Sequence, residues 1–261
     1  MEIMVNRKSF VDLLGKFVTE GKYSWRSPKK KQITTALLRK EDKKLVLYGC
    51  ESKSSVIFCR AEIDAEIKNG SESILPDIPM VLKILKKTSG KDINLTIDKT
   101  RWSITNTRGS VGDVLDSNVK VFKHTKTTAD TFTFADDISY IPEKDVIVKF
   151  DKLITCDGND LNSVYDINVD LVHAETYTIE TTGMEINKVL NKSNGKRFRE
   201  ILFEAPEIHS TFESFDIKFI DSVLANIKNT KVTLYKYVTR GGMVRLIFKT
   251  PNVLWMVNYN K

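Results

Sequence analysis

Hydrophobic residues recur along this chain first with a helical period and then with a strand period, which predicts an α+β protein. The first apolar stripe has the i, i+3, i+4 spacing of one helix face. Its members are Phe10, Leu13, Leu14, Phe17 and Val18. The runs 33–38, 45–50 and 56–63 that follow are rich in β-branched and aromatic residues, and polar turns separate them. We therefore expect a helix followed by an antiparallel meander.

A second helix is predicted from Asp77, whose side chain can cap the first turn, with Pro79 as an early helical residue. This helix should end near Gly90. Its apolar side consists of Val81, Leu82 and Leu85, and its opposite side consists of Lys83, Lys86 and Lys87. The runs 93–97 and 102–104 alternate apolar with polar residues, which predicts two more half-buried strands.

The second half of the chain repeats this order of elements. Asp157 can cap a short helix, and the runs 176–181 and 196–203 are predicted strands. A later apolar stripe predicts another helix and consists of Ile220, Val223, Leu224 and Ile227. The closing strands are predicted at 232–238, 244–249 and 253–259.

Two similar halves predict an internal repeat and therefore two domains. We place the first domain at residues 1–115 and the second at residues 136–261. The intervening residues 116–135 are polar, rich in Thr and Lys, and lack a sustained period, so we assign them to an interdomain connector. With 261 residues in total, each domain is long enough for its own hydrophobic core.

The net charge of +7 is distributed unevenly along the chain. Residues 1–40 hold ten Lys or Arg against three acidic residues, whereas residues 130–185 hold thirteen acidic residues against three basic ones. This separation of charge indicates a dedicated basic surface and hence a polyanionic partner.

Several classes of protein are excluded by what the sequence lacks. No run approaches the roughly 18 consecutive apolar residues of a membrane span, so we expect an intracellular protein with no membrane partner. Cys50, Cys59 and Cys156 match no metal-ligand spacing. Phosphate-binding loops and common nucleophile motifs are also missing. We therefore expect no enzyme activity, no cofactor and no metal, with a metal-dependent nuclease that uses Asp157 and Asp160 as the reserve hypothesis.

Two segments are similar to parts of a known fold. Residues 78–111 read IPMVLKILKKTSGKDINLTIDKTRWSITNTRGSV, and residues 215–259 read FDIKFIDSVLANIKNTKVTLYKYVTRGGMVRLIFKTPNVLWMVNY. In each segment a predicted helix runs into a strand hairpin, and the first contains the run ITNTR at 104–108. With the order of elements, these segments resemble the processivity fold shared by proliferating cell nuclear antigen and the T4-type phage sliding clamps. The phage proteins are the more similar branch.

The resemblance implies a homotrimeric ring of two-domain subunits, in which helices line the bore and antiparallel sheets form the outside. Such a ring is a DNA sliding clamp, a processivity factor that encircles double-stranded DNA and tethers the replicative DNA polymerase. It also implies a clamp loader ATPase as a partner and, for a bacteriophage protein, a location in the host cytoplasm. The alternative is a non-ring basic nucleic-acid-binding or transcription-regulating protein that uses residues 7–40 directly.

A sliding protein must attract phosphates without contacting base edges, and flexible lysine charges on rigid helices suit that task. By the resemblance, the DNA-facing residues are Lys8, Lys16, Lys22, Arg26, Lys83, Lys86, Lys87, Lys218 and Lys228. Charged residues opposite an apolar stripe are otherwise an ordinary solvated helix face. The predicted helix at 157–169 departs from the pattern, because it carries Asp157, Asp160 and Asp166 and no basic residue.

Client proteins of clamps insert a short peptide into an apolar pocket near the connector and the carboxyl-terminal strands. By the resemblance, this pocket would be lined by Val56, Phe58, Leu254, Trp255, Met256 and Val257. Successive residues of a strand point to opposite faces. We therefore expect one of Trp255 and Met256 to be buried and the other to be exposed.

Overall fold

The computed structural model describes residues 1–18, 33–50, 57–98, 101–106, 109–114, 133–134, 139–140, 151–162, 176–181, 183–191, 197–208, 212–216, 223–238 and 244–258. These residues form two compact units, the first within residues 1–148 and the second within residues 149–261. No helix among them is long and apolar enough to cross a membrane.

The first unit contains two helices and ten strands in its described part. In chain order they are β1 (Glu2–Asn6), α1 (Arg7–Val18), β2 (Ala36–Glu41), β3 (Lys44–Cys50), β4 (Ile57–Asn69), β5 (Glu72–Leu75), α2 (Ile78–Lys87), β6 (Asp92–Ile97), β7 (Arg101–Asn106), β8 (Gly109–Val114), β9 (Thr133–Phe134) and β10 (Ser139–Tyr140). Strands β9 and β10 pair only with each other among the strands described.

Strands β1 to β8 are hydrogen-bonded in the order β5-β2-β3-β4-β1-β6-β7-β8, and every pair is antiparallel. The long strand β4 joins the two parts of this sheet. Its first part pairs with β3 as far as Asp64, and its second part pairs with β1 from Ala65 onward.

The apolar faces of both helices belong to the core of the first unit. The buried residues of α1 are Phe10, Leu13, Leu14 and Phe17, which confirms the stripe predicted from the sequence. Each such side chain contributes about 1.5–3 kcal/mol through its burial. Gly49 of β3 allows the end of α1 to approach the sheet closely. A Cβ at this position would lie 2.4 Å from Cγ2 of Ile33 and 3.0 Å from the ring of Phe17.

The second unit contains β11 (Asp151–Asp157), α3 (Gly158–Asn162), β12 (Thr176–Thr181), β13 (Gly183–Asn191), β14 (Arg197–Ile208), β15 (Phe212–Asp216), β16 (Lys231–Val238), β17 (Val244–Lys249) and β18 (Val253–Asn258). A helical turn at 223–226 precedes β16. Strands β11-β16-β17-β18 are hydrogen-bonded in that order, and β14-β13-β12-β15 form a separate sheet.

The two units share six strand pairings, whereas the pairing of β1 with β4 has no counterpart among the described strands of the second unit. In the first unit β1 pairs with β6, β6 with β7 and β7 with β8, while β2 pairs with both β3 and β5, and β3 pairs with β4. The same six pairings recur in the second unit, from β11 with β16 to β13 with β14. The internal repeat predicted from the sequence is therefore confirmed. The boundaries at 115 and 136 stay a prediction, because most of residues 115–150 lie outside the described residues.

Candidate nucleic-acid interface

Helix α2 presents three lysines on one exposed face. Asp77 begins the helix, since its backbone is left-handed with φ 45° and its side chain accepts a hydrogen bond from the backbone N of Met80 at 3.0 Å. The buried side of the helix consists of Ile78, Val81, Leu82 and Leu85. On the other side, Lys83, Lys86 and Lys87 are all exposed. The helix, its cap and its division into apolar and basic sides are as the sequence predicted.

Helix α1 contributes one exposed lysine and one half-buried lysine. Asn6 caps it by accepting a hydrogen bond from the backbone N of Ser9 at 3.1 Å. Lys8 in the first turn is exposed, whereas Lys16 is half-buried, and burial lowers the pKa of its ammonium although Cys59 and Asp12 oppose this shift. Lys16 lies eight residues after Lys8, and over eight residues of an α-helix the direction of the side chain rotates by about 80°. Lys16 is therefore turned away from the direction of Lys8, toward the buried thiol.

The two helices lie side by side and run in opposite directions. At one end, the backbone N of Arg7 donates to the carbonyl of Lys91 at 2.9 Å. At the other end, the backbone N of Ile33 donates to the carbonyl of Phe17 in α1 at 3.3 Å, and the backbone N of Ile78 donates to the carbonyl of the adjacent Thr34 at 2.7 Å. The first turn of α1 therefore lies beside the last turn of α2. This arrangement brings Lys8 to the same end of the helix pair as Lys86 and Lys87, and Lys83 lies one turn further along.

The opposite face of the sheet contains an acidic depression. In β1, Ile3 and Val5 are buried while Glu2 and Met4 are exposed on the other side. An open depression of about 540 Å³ on that side is lined by Met4, Val5, Asn6, Lys43, Asp64, Ala65, Glu66 and Asp92. Its three carboxylates outnumber its single lysine. The exposed lysines of the two helices therefore lie on the other side of the sheet from this acidic depression.

The second unit builds the equivalent helix junction from uncharged groups. The backbone N of Gly158 donates to the carbonyl of Thr230 at 2.8 Å, in the place that Arg7 and Lys91 occupy in the first unit. Asn159 and Asn229 exchange two hydrogen bonds, of 3.1 and 3.2 Å. These contacts fix the start of α3 against the end of the helical turn at 223–226.

Charge on the helical part of the second unit departs from that of the first. Asp157 and Asp160 are both exposed at the start of α3, and the helix contains no basic residue. Lys228 is exposed, but it lies in a turn rather than on a helix face as the sequence predicted. The helix ends before this position because Asn229 adopts a left-handed backbone with φ 54°. Of the remaining predicted residues, Lys22, Arg26, Lys218, Asp166 and Val56 lie outside the described residues.

The predicted client pocket is occupied by core residues. Phe58, Leu254 and Val257 are buried, and Trp255 and Met256 are each only 2% exposed. The expectation that one of Trp255 and Met256 is exposed is therefore wrong. Strand β18 is covered on both of its faces, so alternation along the strand does not separate core from surface. A role of these residues in client binding stays a prediction.

Beside Phe58 lies a network of charged residues that the sequence analysis missed. The ring of Tyr48 is 6.1 Å from that of Phe58, and the guanidinium groups of Arg39 and Arg60 lie 5.7 and 5.9 Å from the Tyr48 ring centre. The Tyr48 hydroxyl donates to Glu41, and Arg60 donates to the same carboxylate at 3.1 Å. Such cross-strand contacts depend on the register of β2, β3 and β4, which no local pattern reveals.

Tyr48→Phe is expected to reduce the free energy of unfolding by about 1–2 kcal/mol, because a buried hydrogen bond to Glu41 is lost. Burial, together with Glu41, raises the pKa of Tyr48 above its unfolded value. The stability that this group contributes is therefore complete below the unfolded pKa of about 10 and falls as the pH rises above it. Urea denaturation at pH 8 and at pH 11 should show a steeper alkaline loss in the wild type than in the variant. Equal losses would contradict the assignment.

No protein-family model matches the sequence, and no curated protein is similar to it. The structure is nevertheless similar to solved ones. The DNA polymerase III beta chain from Streptococcus pneumoniae matches with a TM-score of 0.66 and 10% identity, over 100% of this chain and 65% of that one. The DNA polymerase sliding clamp from Pseudomonas aeruginosa matches with a TM-score of 0.65 and 12% identity, over 100% of this chain and 64% of that one.

An archaeal structure matches along almost its whole length. It is the PCNA2–PCNA3 complex from Sulfolobus tokodaii, with a TM-score of 0.60 and 11% identity, over 99% of this chain and 98% of that one. By contrast, this chain spans only 65% of the length of the Streptococcus protein. At identities this low the similarity concerns architecture, and at that level it agrees with the resemblance found in the sequence. The chain has the fold of the DNA sliding clamps.

Proposed function

We propose that this chain is the subunit of a DNA sliding clamp, which encircles double-stranded DNA and tethers a DNA polymerase to it. The observation that carries the proposal is the group of exposed lysines on the helix pair of the first unit, in a fold that solved polymerase clamps share. This pair exposes Lys8, Lys83, Lys86 and Lys87, whereas the depression on the far side of the sheet is lined by three carboxylates and one lysine. A phosphate backbone is therefore attracted to the helices.

Lysine suits a surface that slides. Its ammonium is a point charge on a flexible stem, so it attracts phosphates by counterion release without the geometry needed to read base edges. Within the described part of the chain, Lys83, Lys86 and Lys87 form no ion pair with a carboxylate, which leaves their charges available to DNA. The proposed protein binds duplex DNA without sequence preference and has no catalytic activity of its own.

Strand β8 is the proposed edge through which the ring closes. Among the described strands it pairs only with β7, and Val111 in it is 55% exposed. An unprotected edge of this kind recruits a further strand. Strand β14 pairs only with β13 in the described part of the second unit, so it is the proposed partner in a neighbouring copy. Contact between two different edges is head-to-tail and yields a closed ring when the rotation permits.

The proposed assembly is a homotrimer, as the sequence resemblance implies. A clamp loader ATPase and a DNA polymerase are its proposed partners. A bacteriophage origin, with function in the host cytoplasm, follows from the same resemblance. The competing proposal is a basic DNA-binding protein that forms no ring, and topology distinguishes the two.

The first test is the native mass by light scattering across a dilution series. We expect three times the 29.8 kDa mass of one chain. Val111→Lys should shift the protein toward monomer, because charge at an edge opposes strand pairing. Met4→Lys is the matched control, since Met4 is also exposed but lies in β1, which is paired on both sides. A wild-type monomer at every concentration contradicts the ring.

The second test uses nicked circular DNA. Dilution opens the ring, which is then mixed with the nicked circle and closed around it by concentration. The protein should co-elute with the circular DNA in gel filtration. It should leave the DNA after a single restriction cut linearises the circle. Retention on both circular and linear DNA supports the non-ring alternative instead.

A further inference from the structure

Arg7, the first residue of α1, is bonded across to the end of α2. Its Nε donates to the carbonyl of Gly90 at 2.9 Å, and its Nη1 donates to the carbonyl of Leu85 at 3.2 Å. Its backbone N donates to the carbonyl of Lys91 at 2.9 Å. One residue thus holds three carbonyl groups in and just beyond the last turn of α2.

The Leu85 carbonyl belongs to the last turn of α2, and the Gly90 and Lys91 carbonyls lie in the segment between α2 and β6. The last four carbonyls of a helix accept no intrahelical bond and carry the negative end of the helix dipole, which a cation stabilises. Leu85 directly precedes Lys86 and Lys87 in this turn. A group that fixes the Leu85 carbonyl therefore also fixes the backbone from which both lysines project.

We propose that Arg7 is a positioning residue for DNA binding, which holds the last turn of α2 so that Lys86 and Lys87 face the duplex. The inference rests on the proposed function. Arginine suits this role because its planar guanidinium points donors in different directions and reaches two carbonyls at once, whereas the single ammonium of lysine is flexible.

The second unit shows that the junction itself does not require a cation. There Gly158, Asn159 and Asn229 tie the equivalent helix ends together through uncharged groups. In the first unit the guanidinium occurs where the helix end carries two adjacent lysines. Its specific contribution is therefore to hold a basic turn in place.

The test is Arg7→Lys, which preserves net charge but removes the two-carbonyl contact. Fluorescence anisotropy with a 30-base-pair duplex should show binding weakened by about 3- to 10-fold, the loss expected when two phosphate contacts are poorly held. Arg101→Lys is the matched control, because it makes the same chemical change at an exposed position of β7, outside the helix pair, and should bind DNA like the wild type. Arg7→Lys that binds like the wild type overturns the proposal.

A double-mutant cycle separates positioning from general destabilisation. In a background with Lys86→Ala and Lys87→Ala, Arg7→Lys should have no further effect on DNA binding, whereas in a Lys83→Ala background its effect should persist. Equal effects in both backgrounds overturn the proposal. If Arg7→Lys does not fold, Arg7→Gln, which keeps one amide NH2 group and loses the charge, takes its place in the cycle.

Hydrogen exchange keeps this inference distinguishable from the proposed function. Amides at 86–92 should exchange faster in Arg7→Lys, while those at 10–14 are unchanged. If the wild type has no affinity for the duplex, the proposed function fails, and the exchange result still decides whether Arg7 holds the end of α2.

Discussion

Replacing Lys83, Lys86 and Lys87 together by Ala is expected to weaken the binding of duplex DNA on the order of 100-fold near 0.15 M salt, because each lost phosphate contact lowers the affinity about fivefold there. Each phosphate contact contributes about 0.9 to the slope of log affinity against log salt concentration, so the slope should fall by about 2.7. All three side chains are exposed on one face of α2. Anisotropy titrations of a labelled duplex at several salt concentrations measure both quantities.

The control removes the same charge from the strands. Lys40, Lys43 and Lys68 are exposed residues of the β2 to β4 region, and their joint replacement by Ala lowers the net charge equally. This variant should keep most of the affinity. Both variants should unfold at the wild-type urea concentration, because exposed lysines contribute little to stability. Equal weakening of DNA binding by both variants would show an effect of net charge alone and remove α2 from the interface.

The helices of the first unit could be predicted because their signals are local. The stripe of Phe10, Leu13, Leu14 and Phe17 is buried as expected, and the Asp77 cap is formed within four residues of sequence. The basic side of α2 follows from the same periodicity, since a helix with one buried face exposes the other.

The hydrophobic pattern of the sequence did not predict three strands of the main sheet of the first unit. Strand β1 is five residues long, and strand β5 is four. Runs this short do not establish a period. Strand β8 reads GSVGDV and has no apolar alternation. Strand β8 lies so close to β7 that a Cβ on Gly112 would be 2.1 Å from the carbonyl oxygen of Trp102. The position of β8 therefore depends on its contact with β7.

The candidate site was predictable only as far as local periodicity reaches. The exposure of Lys83, Lys86 and Lys87 followed from it, but the role of Arg7 depends on carbonyls 78 to 83 residues away. The burial of Trp255 and Met256 likewise depends on what covers both faces of β18. Contacts between distant segments decide these positions, and one sequence without its fold does not reveal them.

Gly158→Ala is expected to lower the free energy of unfolding of the second unit by about 3 kcal/mol or more. A Cβ at this position would lie 1.8 Å from the carbonyl oxygen of Ile227 and 2.7 Å from its carbonyl carbon. Both are backbone atoms, so no side-chain rotation relieves the overlap. The backbone N of Gly158 is also bonded to the carbonyl of Thr230, which prevents α3 from moving away without losing that bond. Native-state hydrogen exchange of the amides in β16 and β17 measures the loss in this unit.

Gly15→Ala makes the same chemical change in α1 and should have the opposite effect. No heavy atom lies within 4 Å of a Cβ at Gly15, and alanine favours a helix interior over glycine by about 0.5–1 kcal/mol. The first unit should therefore become more stable. Because the added methyl group meets backbone atoms at Gly158 and open space at Gly15, a similar change in both would contradict the close junction at Gly158. Opposite signs would show that the second unit depends on a backbone contact that only glycine permits.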